Sequence, residues 1–271
     1  MKQLENKVIF LTGGTEGIGY ECAKAYAREG AKLVIAAIGE QRLNHVMSEL
    51  GRGHLGICCD VSNGEQVQQA IEKALCVFSK LDAIHNNAGI ASPSKPLDET
   101  SEDEWSMLFD VNLKGIYYTI KYGIAALKKT QGCILNTSSL VGEIGQEFHA
   151  AYAATKGGVN ALTKSMALDY SKFNVRVNAV SPAGVWTPTL RKWMKEQPAA
   201  FNMDDYLNGI HPLGYCPEGD VIADACVFLL SEKARFITGC ILPVSGGAEL
   251  GYRNIMPVAA EVETVKFERI G

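Results

Sequence analysis

Tyr152 and Lys156 stand four residues apart in a stretch, 151–170, whose apolar spacing is helical, so both side chains leave one face of a helix a single turn apart. A phenol with its ordinary pKa of about 10 is a poor proton acceptor near neutrality. An ammonium one turn away favours the phenolate and lowers that pKa, which suits the pair to taking a proton from an alcohol or returning one to a carbonyl. Ser139 lies thirteen positions before Tyr152, past the end of a strand-like run, where its hydroxyl can donate to an oxygen that gains charge. Taken singly, each residue has a plainer role. Tyr152 could be a core ring, Lys156 a surface charge, Ser139 a strand-end turn residue and Asn112 a helix kink. A second motif, near the start of the chain, changes that weighting.

That motif is Thr12-Gly13-Gly14-Thr15-Glu16-Gly17-Ile18-Gly19, directly after an apolar run and directly before a helical pattern. Glycines here permit a tight turn and let the backbone approach a pyrophosphate closely. The following helix N-terminus offers free N–H groups and the positive end of its dipole. A Gly-rich turn alone is weak evidence. A strand before it and a helix after it make a dinucleotide site the expected reading.

The elements that must hold these residues alternate in type along the chain. Strands are predicted at 7–11, 32–37, 54–60, 83–86, 133–138, 175–181 and 240–244; helices are predicted at 17–29, 40–50, 65–78, 105–128, 151–170 and 219–230. Short apolar strands separated by helices are βαβ units, so the expected fold class is α/β, a doubly wound, Rossmann-type parallel sheet with helices on both faces. No Pro-, Ser- or Gly-rich linker, repeat or low-complexity tract occurs, so residues 1–271 are read as a single dinucleotide-binding catalytic domain. Two stretches break the rhythm: 184–213, read as an irregular substrate loop or lid, and the C-terminal tail 253–271.

These motifs resemble the short-chain dehydrogenase/reductase family nearly end to end. The likeness rests on residues 12–19, Asp60-Val61, Asn86-Asn87-Ala88-Gly89, Asn112, Ser139, Tyr152-Ala-Ala-Thr-Lys156 and Ser181-Pro182, all in order. It implies an oxidoreductase in which Tyr152 is the general acid/base and Lys156 tunes it while holding the nicotinamide ribose. Ser139 would orient substrate, and Asn112 would join a proton relay through water. It further implies that Gly13, Thr15, Glu16, Gly17, Ile18 and Gly19 surround the pyrophosphate, and that Asp60, with Val61 beside it, meets the adenine. Asn87, Ala88 and Gly89 would line the adenine ribose. Pro182, Gly184, Val185 and Thr187 would cradle the nicotinamide carboxamide; Ala183 stands where the family usually has Gly, a place that Gly184 could supply.

Cofactor choice turns on the end of the second strand. Relatives that use NAD usually hold the ribose 2′-hydroxyl there with an acidic residue, and this chain has Ala37 followed by Ile38. Relatives that use NADP usually have a basic residue at positions that here hold Glu16 and Ile38. Glu16 would repel a 2′-phosphate, and Arg42 is a displaced partner for one. The residues favour NAD and leave NADP open.

Segments 139–146, 185–188 and 246–252 resemble family members acting on L-fucose-like aldoses or hydroxysteroids. By that likeness Gln146 and Trp186 line the substrate pocket beside Ser139 and Tyr152, and Tyr252 reaches a pocket. The likeness weakens at 90–96, which lacks expected histidines, and at 191–207. Three readings follow: an NAD-dependent dehydrogenase of a secondary alcohol or sugar hemiacetal, an NADPH-dependent 3-oxoacyl carrier-protein reductase or other carbonyl reductase, and a non-catalytic dinucleotide sensor. The complete Ser139, Tyr152, Lys156 and Asn112 set favours an enzyme.

Composition narrows the partners. A net charge of −4 argues against nucleic acid or an anionic membrane. The polar first seven residues do not read as a signal peptide, and no apolar run approaches the about 20 residues a bilayer needs. The eight Cys show no CxxC and no Cys/His ligand spacing, so they read as reduced, small apolar residues; neither a metal site nor a disulfide framework is expected. The expectation is a cytoplasmic enzyme with a small-molecule alcohol or carbonyl substrate. The resemblance adds a homotetramer that pairs helices 105–128 and 151–170 across subunits.

Overall fold

The computed structural model describes residues 2–91, 94–195 and 202–251. Seven strands, β1 (Val8–Thr12), β2 (Lys32–Ala37), β3 (Leu55–Cys58), β4 (Ala83–Asn86), β5 (Cys133–Thr137), β6 (Arg176–Pro182) and β7 (Ile241–Val244), form one sheet. Their order is β3-β2-β1-β4-β5-β6-β7 and every pairing is parallel. Strand β1 is a near-continuous apolar run, and every residue of β1 and β4 is buried, as a parallel sheet covered on both faces requires. The strand order reverses between β1 and β4, and a crevice at such a point lies outside the strands' carboxyl ends.

One face of the sheet is covered by α1 (Gly17–Arg28), α2 (Glu40–Leu50) and a late helix that we number below. The other carries α3 (Gly64–Phe78), whose Asn63 side chain caps its first turn. Helix α4 (Glu102–Phe109) starts three residues earlier than the sequence pattern suggests, because Ser101 and Glu104 form a reciprocal capping box. It does not run straight on. Residues Asp110–Lys114 make a π-helical turn, and α5 (Gly115–Thr130) continues beyond it. Helix α6 (Ala150–Ser171) packs against β6.

Among its described residues the stretch 184–213 is not irregular. It contains α7 (Pro188–Lys195) and α8 (Met203–Gly209), helices of 8 and 7 residues, too short for a period to stand out in the sequence. The last helix on the first face is α9 (Gly219–Leu230), packed along α1. Tyr252 and the tail 253–271 lie outside the described residues. Among the described residues no helix is long and apolar enough to cross a membrane.

Candidate active site

The Gly-rich turn is locked to the end of β4. Thr12 Oγ1 accepts hydrogen bonds from the backbone N–H groups of Asn87 and Ala88, both at 3.0 Å. The Asn87 side-chain amide donates back to the carbonyls of Thr12 and Gly13, at 3.3 and 3.1 Å. Gly13 has φ of 68°, the left-handed region, and a Cβ there would stand 2.9 Å from Ala88 Cα. A Cβ on Gly19 would stand 2.1 Å from the Gly13 carbonyl oxygen and 2.4 Å from Asn87 Nδ2. Both glycines are therefore required by close approach. Glu16 precedes α1 but does not cap it; its carboxylate pairs with Arg42 instead. The first N–H groups of α1 thus face the cleft without a side-chain acceptor at the cap, the arrangement that suits an anionic ligand.

The other nucleotide-side residues fall along the same edge. Ala37 is buried and Ile38 exposed at the end of β2. Asp60 accepts from the Ser62 backbone and hydroxyl through Oδ1, and Val61 is buried against Gly115. A Cβ on Gly184 would meet the His211 ring at 3.1 Å, a tight contact with a side chain. Thr187 Oγ1 accepts from the Leu190 backbone at the start of α7, and its methyl borders Gly17. Pro182 and Val185 are buried beside it.

Helix α6 brings the chemical groups together. Tyr152 and Lys156 sit one turn apart, with Nζ 5.6 Å from the Tyr152 ring centre and donating to the Thr137 carbonyl at 2.9 Å. After β5 the chain turns through Leu140–Gly142 and lies flat on α6, where Ser139 hydrogen-bonds the Tyr152 hydroxyl. A Cβ on Gly142 would stand 2.8 Å from the Lys156 carbonyl carbon, so this close contact also needs glycine. Asn112, 2% exposed in the π turn, has both its side-chain oxygen and nitrogen hydrogen-bonded. Oδ1 accepts from Ile90 N at 2.8 Å, while Nδ2 donates to Ile90 O and Thr155 Oγ1. The π turn aims this side chain at the segment after β4 and so joins the two halves of the site.

The electrostatics depart from the sequence-based expectation. Burial pushes the Tyr152 pKa up, and the hydrogen bond with Ser139 opposes it. The Lys156 ammonium is itself desolvated and turned to the Thr137 carbonyl. Burial lowers the Lys156 pKa to about 8. The unfolded chain therefore binds more protons between about pH 8 and 10.5, so stability rises with pH across that window, and below it the full cost of the buried ammonium is present. The unfolding free energy of the cofactor-free chain, taken relative to Lys156→Met, should rise by about 3 kcal/mol over that range. A pH-independent difference in chemical denaturation would show that the ammonium is solvated.

These groups open into a cleft of about 790 Å³. Its wall carries Ser139, Gln146 and Tyr152 as expected, with Ile18, Val185 and Thr187 on the cofactor side. Trp186 is not brought to it. Its backbone N–H donates to the Pro217 carbonyl, it bridges to Glu218, and its ring lies under the Arg191 guanidinium at 4.8 Å. Position in sequence next to the carboxamide segment was a poor guide, because alternate residues of an extended segment face opposite ways. Trp193 of α7 takes the place assigned to Trp186, and Tyr206 and Leu207 of α8 line the same cleft.

Sequence reasoning missed two residues here, His149 and Ser94. His149 lines the cleft and is buried; its Nδ1 contacts the Glu147 carbonyl at 2.9 Å and its Nε2 the Ser94 hydroxyl at 3.3 Å. Trp193 Nε1 donates to the same hydroxyl at 2.8 Å, so Ser94 ties α7 to the start of α6. His149 was findable, three residues before Tyr152. Ser94 carries no local signal.

The Cys residues are not all mere filler. Although no ligand spacing exists along the chain, Cys22, His85 and Cys226 come from α1, β4 and α9 to one buried point, their ligand atoms within 4.8 Å of one another. Sequence spacing cannot announce a cluster drawn from three elements.

The comparisons agree with this geometry. The family model described as "Enoyl-(Acyl carrier protein) reductase" matches residues 13–249. L-fucose dehydrogenase of Bos taurus is 40% identical over 257 residues, covering 95% of this chain and 94% of that protein. Among solved structures, a 3-ketoacyl-(acyl-carrier-protein) reductase from Brucella melitensis complexed with NADH is similar with TM-score 0.84 and 32% identity, covering 91% of this chain and 99% of that one. Aldohexose dehydrogenase of Thermoplasma acidophilum is similar with TM-score 0.85 and 32% identity, covering 94% and 99%.

Proposed function

Because the chain belongs to the short-chain dehydrogenase/reductase family, we propose that it moves a hydride between NAD and a secondary alcohol or its carbonyl, with a sugar hemiacetal such as an L-fucose-like aldose as the favoured substrate. The observation that carries this is that Ser139 and Tyr152 stand on the wall of a cleft that Ile18 and Thr187 also line, with Lys156 one turn behind Tyr152 on α6. The relatives named as L-fucose and aldohexose dehydrogenases support the sugar class over a hydroxysteroid.

Bound NAD would supply the hydride acceptor. Gly13, Thr15, Gly17, Ile18 and Gly19 would hold its pyrophosphate on the uncapped start of α1, and the crowding at Gly13 and Gly19 fits such a cradle. Asp60 and Val61 would meet the adenine, and Asn87, Ala88 and Gly89 its ribose. Pro182, Gly184, Val185 and Thr187 would hold the carboxamide. Tyr152 takes the hydroxyl proton, Ser139 donates to the same oxygen, and Lys156 holds the ribose while its charge favours the phenolate. Because the Asn112 side chain is committed to Ile90 and Thr155, any relay through it uses its remaining acceptor capacity. The deciding experiment is a panel of aldoses and cyclic secondary alcohols read by reduced-nicotinamide absorbance. Turnover confined to acyl thioesters with NADPH would establish the carbonyl-reductase reading instead.

The choice of NAD rests on the Glu16–Arg42 pair, which neutralises Arg42 beyond the end of β2 and sets against a 2′-phosphate the carboxylate of Glu16. NADH is expected to bind more tightly than NADPH in calorimetric titration. Ala37→Asp should widen the gap by accepting from the 2′-hydroxyl, and Glu16→Gln should narrow it by releasing Arg42. Tighter binding of NADPH by the unaltered chain would overturn the assignment.

Helices α7 and α8 are proposed as a cover that excludes water from the hydride path. Trp193→Ala should raise KM or shift substrate preference while NADH affinity holds, and Trp186→Ala should change stability alone. Equal, small kinetic effects from both would remove the cover. Truncation after Gly251 tests Tyr252 in the same assay. We also propose a cytoplasmic homotetramer paired through α4–α5 and α6, where Met107, Tyr117 and Leu168 are exposed. A monomer in sedimentation would overturn that pairing.

A further inference from the structure

Behind the nucleotide turn, on the side of the sheet away from α6, Cys22 and Tyr26 share one face of α1 four residues apart. Cys226 reaches them from α9 and His85 from β4. All four side chains are fully buried. We propose that Cys22, His85 and Cys226 form a structural site for a zinc-class divalent metal ion, which pins α1 and α9 to the sheet.

The geometry supports it first. The three ligand atoms lie within 4.8 Å of one another. Tetrahedral zinc with bonds of about 2.3 Å to sulfur and about 2.0 Å to nitrogen separates its ligand atoms by roughly 3.3–3.8 Å. Inward side-chain movements of about 1 Å would close the gap.

The imidazole is already held in the orientation a ligand needs. Its Nε2 lies 3.0 Å from Thr137 Oγ1, whose hydroxyl in turn donates to Asn87 Oδ1 at 3.2 Å. A ring whose outer nitrogen is fixed by a hydroxyl presents its inner nitrogen with a defined lone pair, as metal-bound histidines do. That inner nitrogen, Nδ1, lies 2.9 Å from the Tyr26 hydroxyl, which an incoming ion would displace from the lone pair.

Charge selects the class of ion. The hydrogen-bonding partners around the cluster, Tyr26 and Thr137, are neutral, and a net charge in such an interior is costly. A divalent ion with two thiolates and a neutral imidazole carries none. Uptake releases the two thiol protons, and the depth of the site means the ion enters as the chain folds. The link through Thr137 to Asn87 ties the site to the nucleotide turn.

The test uses the full chain with Cys58→Ser and Cys76→Ser, which removes the two exposed thiols and leaves the cluster intact. Refolded with Cd²⁺ under reductant and then dialysed, it should retain one ion per chain, give a thiolate-to-metal ultraviolet band and melt at higher temperature than the metal-free chain. Cys22→Ala or Cys226→Ala on that background should abolish both the retained ion and the band. Absence of a retained ion from the parent overturns the proposal by itself, without any cluster variant having to fold. An undiminished band in both cluster variants, folded by circular dichroism, overturns it equally.

Discussion

Tyr152→Phe is expected to lower turnover by about 10²–10⁴-fold while NADH still binds as before. The ring is retained and continues to pack beside the Lys156 stem, so only the hydroxyl that Ser139 contacts is lost. The direction of the pKa effects sharpens the expectation. In the polypeptide alone the phenol is held up by burial, so it must be drawn toward the phenolate by positive charge brought close when the site is filled. Turnover of the unaltered enzyme in the alcohol-oxidising direction should therefore rise with pH, and the residual rate of the variant should not follow that rise. A loss of only a few-fold, measured with saturating cofactor, would take Tyr152 out of the proton transfer.

Gly19→Ala is expected to weaken NADH at least about tenfold and to cost on the order of 1–3 kcal/mol in stability. The added methyl would lie 2.1 Å from the Gly13 carbonyl oxygen and 2.4 Å from Asn87 Nδ2. Neither neighbour can swing away cheaply. The first is backbone in a turn already at positive φ, and the second holds that turn to β4 by two hydrogen bonds. Relief must open the joint between the Gly-rich turn and Asn87, which is where the pyrophosphate and adenine ribose would lie. Gly209→Ala is the matched control: no heavy atom stands within 4 Å of its added carbon. NADH affinity and melting temperature of Gly19→Ala equal to those of the control would remove the close-packing argument.

The chain's own pattern was sufficient for the sheet. Every strand and six helices were legible to within a few residues, because a parallel sheet buried on both faces demands short apolar runs and amphipathic helices between them. The dinucleotide turn and the Tyr152–Lys156 pair were legible for the same reason: each is a local spacing on one element, and local geometry follows from local sequence. The π turn at Asp110–Lys114 was not, since it depends on Asn112 reaching Ile90 and Thr155 on other elements. Helices α7 and α8 were hidden by their shortness, about two turns each, and both line the cleft.

What tertiary structure alone decided is which distant residues meet. Trp193 lines the cleft and Trp186 does not; Ser94 ties His149 to α7; three elements carry Cys22, His85 and Cys226 to one point. The sign of the electrostatic effect on Tyr152 belongs here too. Spacing placed an ammonium one turn away, but desolvation of both groups is a property of the assembled core, and it outweighs the pairwise attraction that spacing implies.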